Sequence, residues 1–124
     1  FRQLTCSNAV STLAEITGKI RAFRDERDWA QFHNPKDMAI ALSLEAGELL
    51  EQFLWKNPAE VQDRLISHRE EISEEVADIA IYLFELADNL GIDLFAAMEA
   101  KLKKNAGKYP IEKAKGSAKK YTEL

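Results

Sequence analysis

The chain has 124 residues, 17 Lys+Arg against 21 Asp+Glu, five Gly, three Pro and one Cys, with a formal charge of −4. That length suits one domain with a modest core, and the scarcity of Gly and Pro argues against a turn-rich β-sandwich or barrel. The lone Cys6 rules out an intramolecular disulfide, and the longest apolar run, Ile79 to Phe84, falls far short of the ~20 residues that cross a bilayer.

Nearly everything reads as helix. A first helix is expected from about Asn8 to Asp28, capped by Ser7 or Asn8, with an apolar stripe of Val10, Leu13, Ile16, Ile20 and Phe23. Residues 29–34 form a connector. Asn34-Pro35 starts a second helix, with Asn at the N-cap, Pro at the first helical position and Asp37 in the first turn. This helix is expected to reach Trp55, and it is apolar around much of its circumference, which suits a central position and a homo-oligomer. A short helix at 58–68 rests on Val61, Leu65 and Ile66. From about His68 to Leu90, Ile72, Val76, Ile79, Leu83, Leu86 and Leu90 recur in steps of three and four, a coiled-coil-like seam. Gly91 stops that helix and Asp93 caps the next, which carries Leu94, Phe95, Met98 and Leu102 and fades at Gly107. Tyr109-Pro110 breaks the pattern. The expected fold is an all-α, antiparallel four-helix bundle in a single domain of residues 1–124, with a basic C-terminal segment at about 108–124.

The small net charge is a cancellation. Residues 45–78 carry 10 acidic and 3 basic groups, whereas residues 101–124 carry 8 Lys and 2 Glu. Within the acidic belt, Glu45-x-x-Glu48 lies on the second helix and Glu75-x-x-Asp78 on the long one. Residues at i and i+3 share a helix face, so each pair can aim two carboxylates at one point. Glu45 falls on the apolar stripe of Met38, Leu42 and Leu49 and is expected to point inward. Carboxylates this close repel unless cations sit between them, and all-oxygen donors suit Mg²⁺, with Mn²⁺ as a substitute. Mg²⁺ is commonly completed by substrate phosphates, which points to a nucleotide. Glu70, Glu71 and Glu74 read instead as a solvated face. Trp29, His33 and Trp55 sit at element ends, where an aromatic ring either stacks a base or packs a helix end. The Lys-rich tail reads as a mobile end, as an electrostatic contact for nucleic acid or membrane, or as a clamp on triphosphate oxygens.

In order along the chain stand Glu26-Arg27-Asp28-Trp29-x-Gln31-Phe32-His33, Leu42-x-x-Glu45-x-Gly47-Glu48-Leu49 and Trp55-Lys56. Then come Glu74-Glu75-x-x-Asp78-x-x-Ile81-Tyr82-Leu83, Asn105-x-x-Lys108-Tyr109-Pro110 and Lys120-Tyr121-Thr122-Glu123-Leu124. Together these motifs resemble the MazG-type all-α NTP pyrophosphatases, and within them the dCTP-cleaving branch. The resemblance implies hydrolysis of a nucleoside triphosphate, dCTP or a related dNTP, to the monophosphate and diphosphate, a house-cleaning of the nucleotide pool. It implies Mg²⁺ held by Glu45, Glu48, Glu75 and Asp78, and a base pocket of Trp29, His33 and Trp55. Tyr82, Lys101 and Asn105 match positions facing the nucleotide, and Lys108, Tyr109, Lys120 and Tyr121 match a basic C-terminal motif. It further implies a homodimer or a homotetramer built from dimers. The segment between Trp55 and Glu75 is shorter than in animal members of that branch.

A cytoplasmic enzyme with a nucleoside triphosphate as its partner, and no nucleic acid or membrane, is therefore expected. The alternative is a non-enzymatic helical protein-interaction module, which requires Glu45 and Glu75 to point outward.

Overall fold

Helix starts and stops follow local chemistry closely. The computed structural model describes residues 12–124, so Cys6, the expected caps Ser7 and Asn8, and Val10 lie outside the described residues. Helix α1 (Leu13–Asp25) is capped by Thr12, whose side chain accepts from the Glu15 amide at 3.1 Å. It ends three residues before the expected Asp28. There the amides of Asp28 and Trp29 donate back to the carbonyls of Asp25 and Arg24 at 3.1 Å each, with Asp28 at φ 56°. This is a Schellman-type stop, and Asp tolerates the left-handed position better than most side chains. A 3₁₀ turn, Ala30–Phe32, leads to α2 (Pro35–Glu51).

Asn34 caps α2 as expected: its side chain accepts from the Asp37 amide at 2.9 Å and donates to the Asp37 carboxylate at 2.7 Å. Helix α2 ends at Glu51 rather than Trp55. Trp55 takes φ 60°, and Asn57 must stay extended before Pro58, so the helix has to unwind ahead of them. Asn57 then serves as the N-cap of α3 (Pro58–Ser67) in a full capping box with Glu60. Only His68 separates α3 from α4 (Arg69–Asn89). Gly91 at φ 67° ends α4 where a side chain would be strained.

The chain forms two compact units, divided between Leu90 and Gly91. In the first, α4 is the hub that touches α2, α1 and α3. His33, just ahead of α2, meets Glu85 late in α4, while Glu48 late in α2 meets Glu75 early in α4. The two helices therefore run antiparallel. Arg21 ties α1 to α4 through a two-pronged contact with Asp88 at 2.7 and 3.1 Å, and Arg24 donates to Asn89 at 2.9 Å.

The core of the described residues is small: Ile20, Met38, Ile72 and Ala87, with Met38 only 1% exposed. The expected seam on α4 is rotated. Ile72 is buried, but Val76, Leu83 and Leu90 are exposed, and the inward face carries Glu75, Asp78, Tyr82 and Glu85. Ile66 of α3 and Ile40, Leu44 and Leu50 of α2 are also exposed. The apolar circumference of α2 thus exceeds what its own unit covers.

The second unit holds α5 (Leu94–Lys108), capped by Asp93, whose side chain accepts from the Ala96 amide at 3.1 Å. It continues with α6 (Ile111–Ala114) and a 3₁₀ turn at Tyr121–Glu123. The basic tail folds back on itself: the Tyr109 and Tyr121 rings meet edge-to-face at 5.9 Å, and Lys108 Nζ lies 4.8 Å from the Tyr121 ring centre. All elements are helical, and no strand occurs among the described residues.

Candidate active site

The antiparallel pairing of α2 and α4 brings the two acidic motifs together. Glu45, Glu48 and Glu75 each offer a carboxylate oxygen, and these oxygens lie within 4.8 Å of one another. Glu45 Oε2 and Glu75 Oε2 are buried without a hydrogen-bond partner among the described residues. Both point inward, against the outward orientation that a partner-binding face requires. Asp78 is half-buried beside them and lines the same groove as Glu45, outside the tight three-carboxylate group.

The electrostatics carry the strain of this arrangement. Burial, aided by the hydrogen bond to Glu48 and the charges of Glu48, Asp78 and Glu75, pushes the Glu45 carboxyl up to about 6. Burial and Glu48 raise Glu75 as well. Each of these acids resists ionising beside the others. Hard oxygen donors in a cluster without a counter-charge fit a divalent cation, and the unpartnered buried oxygens of Glu45 and Glu75 are the atoms it would satisfy.

From the carboxylates an apolar groove runs between α1 and α4. One cavity of about 370 Å³ is lined by Ile16, Lys19, Ile20, Phe23, Ile81 and Tyr82 together with Glu45 and Asp78. A smaller one of about 80 Å³ shares Ile20, Phe23, Ile81 and Tyr82 and adds Arg24, Trp29, His33 and Glu85. Trp29 packs edge-on against Phe23 at 5.8 Å and tilts over His33 at 6.4 Å between ring centres. Burial raises the Tyr82 hydroxyl above its ordinary value, with Glu45 and Asp78 adding to the effect. The groove therefore has an anionic end and an aromatic end.

Trp29, His33 and Tyr82 meet in this groove, but Trp55 does not. It is 93% exposed and follows the far end of the 17-residue α2, roughly 25 Å of helix from His33 at 1.5 Å per residue. Within one chain it cannot share a pocket with Trp29 and His33. In the second unit, Lys101 and Asn105 lie one turn apart on α5. Lys108, Tyr109 and Tyr121 form the tail cluster, and Lys120 immediately precedes the last 3₁₀ turn.

Three groove residues escape a reading by motif, Lys19, Arg24 and Glu85. Glu85 had a visible signal: Glu75, Asp78, Tyr82 and Glu85 step by three, four and three along one face of α4. Lys19 sits beside Ile20 in the α1 stripe, which reads as plain amphipathic helix.

The profile of the MazG-like family matches residues 40–124, a stretch that includes all four acidic motif residues. The chain belongs to the MazG-like family. It is 43% identical to dCTP pyrophosphatase 1 of Bos taurus and 42% identical to that of Homo sapiens. Each match runs over 115 residues, 91% of this chain and 68% of the relative. A pyrophosphatase from Archaeoglobus fulgidus, known from its crystal structure, is 36% identical with a TM-score of 0.77. That match covers 87% of this chain and 99% of the other.

Proposed function

We propose that this MazG-like enzyme, a nucleoside triphosphate pyrophosphatase, hydrolyses dCTP or a closely related dNTP to the monophosphate and diphosphate, with Mg²⁺ as its metal. The observation that carries the reading is the cluster of Glu45, Glu48 and Glu75, with its two unpartnered buried oxygens, at one end of a groove whose other end holds Trp29 and His33. The dCTP pyrophosphatase relatives support the choice of base.

Glu45, Glu48, Glu75 and Asp78 would hold the metal. What a bound Mg²⁺ supplies is neutralisation of the triphosphate oxygens and acidification of water. Glu45 or Glu48 takes the proton of the water that attacks the α-phosphorus, and burial raises Glu45 to about 6, nearer the range of a general base. Along α4, Asp78 and Glu85 stand two helical turns apart, roughly 10 Å, the scale of one nucleoside. The groove walls of Ile20, Phe23, Ile81 and Tyr82 offer apolar surface to the sugar and base.

Lys101, Asn105, Lys108, Tyr109, Lys120 and Tyr121 join the nucleotide-binding set on sequence resemblance, with the whole of residues 1–124 acting as one domain. Trp55 serves a base pocket only from another copy, in a homodimer or a tetramer of dimers. The exposed Leu44 and Leu50 of α2 supply apolar surface for such an assembly. Turnover of the cytoplasmic nucleotide pool is the setting that fits.

The test is a panel of NTPs and dNTPs with Mg²⁺, assayed for diphosphate. Release of diphosphate, best from dCTP, is expected. Glu48→Gln and Asp78→Asn should each abolish it while leaving the circular dichroism unchanged. Orthophosphate as the product, or full activity in either variant, would overturn the reading.

A further inference from the structure

Glu85 is the one buried charged residue among the described residues, only 4% exposed. A carboxylate so placed is costly unless paired. Its partner is His33: Nδ1 lies 2.9 Å from Oε1 and 2.8 Å from Oε2. An ionised carboxylate only accepts hydrogen bonds, so Nδ1 is the donor, and its nearly equal distances to both oxygens suit one N–H directed into the carboxylate fork. Arg24 lines the same cavity, but its guanidinium donates to Asp25 and Asn89 instead. Asn89 also donates to the His33 carbonyl at 3.4 Å, and Trp29 lies tilted beside the ring at 6.4 Å between centres. The imidazole is thus held in place as well as in tautomer.

With Nδ1 committed to Glu85, Nε2 is the only imidazole nitrogen left for a ligand, and it has no hydrogen-bond partner among the described residues. In the neutral ring that nitrogen carries a lone pair, because Nδ1 carries the proton. We propose that Glu85 is a specificity-determining positioning residue, which fixes His33 as a hydrogen-bond acceptor and so selects pyrimidine triphosphates bearing a 4-amino group over those bearing a 4-oxo group. The inference rests on the proposed function, in which the aromatic end of the groove takes the base. An amino group donates to Nε2. A carbonyl oxygen in its place sets two acceptors against each other, and a buried mismatch of that kind discriminates strongly.

The test compares dCTP with dUTP, both assayed for diphosphate release. In the parent protein kcat/KM favours dCTP. Glu85→Gln presents either an oxygen or an amide N–H to Nδ1, so the tautomer is no longer fixed. The dCTP/dUTP ratio should fall at least tenfold, carried by KM, with kcat within about threefold. Glu85→Asp keeps the acceptor charge and should retain the preference. Nitrogen chemical shifts of His33 in the parent protein at the assay pH should show Nδ1 protonated and Nε2 bare, a readout independent of any variant's folding. A bare Nδ1 or a protonated Nε2 in the parent, or an unchanged dCTP/dUTP ratio in a folded Glu85→Gln, would overturn the inference while leaving the proposed function standing. Diphosphate release from no nucleotide at all would overturn both.

Discussion

Glu45→Gln keeps the size of the side chain and removes its charge, so it isolates what the acidic cluster costs the free protein. The folded state holds the Glu45 carboxyl at about 6, against 4.5 ordinarily, chiefly through burial. Because the folded value is raised, ionisation opposes folding: the penalty begins as pH rises through 4.5 and is complete above about 6. At full strength that gap is worth about 2 kcal/mol. The groove admits solvent, and screening brings it nearer about 1 kcal/mol. At pH 8 without divalent cations, Glu45→Gln is therefore expected to be more stable than the parent by about 1 kcal/mol. Below pH 4.5 the difference should vanish. Mg²⁺ should reverse the order, since a ligand at a hundredfold its Kd stabilises by about 2.7 kcal/mol and only the parent retains all its acidic donors. Urea unfolding followed by circular dichroism, at one protein concentration and with and without Mg²⁺, measures all three. A variant less stable than the parent at pH 8 without Mg²⁺, or a difference that ignores pH, would refute the reasoning.

Three further outcomes follow from the same structure. Mg²⁺ binding should release protons near pH 6, where Glu45 is part-protonated, and weaken as pH falls through that value; calorimetry in buffers of different ionisation enthalpy reads both. Met38→Ala removes the most deeply buried side chain and should cost about 3 kcal/mol in urea unfolding. Asn57→Ala breaks the capping box of α3 and should cost about 1 kcal/mol, also by urea unfolding, without lowering kcat.

Local chemistry made the helix boundaries readable. The caps at Asn34 and Asp93 and the stop at Gly91 stand where short polar side chains and a glycine announce them. The end of α1 at Asp25, ahead of the expected Asp28, was not legible, because any of several residues can adopt the left-handed position and only the hydrogen bonds reveal which one does. The rotation of α4 was hidden for a different reason. Its apolar residues form the more regular pattern, yet the face turned toward α2 is the one carrying Glu75, Asp78, Tyr82 and Glu85. Periodicity finds the apolar stripe of a helix, and here part of that stripe, Val76, Leu83 and Leu90, lies exposed. The convergence of Glu45, Glu48 and Glu75 was legible because two i, i+3 pairs on antiparallel helices have few other ways to meet. The His33–Glu85 contact joins residues 52 positions apart with no spacing rule to connect them, so it emerges only from the fold.

On the proposed reading, water attacks the α-phosphorus of a nucleoside triphosphate beside this carboxylate cluster. Hydrolysis of dCTP with Mg²⁺ in isotopically labelled water, followed by mass spectrometry of the products, tests it directly. One labelled oxygen is expected in dCMP and none in diphosphate. Label in the diphosphate, or cleavage to dCDP and orthophosphate, would contradict it.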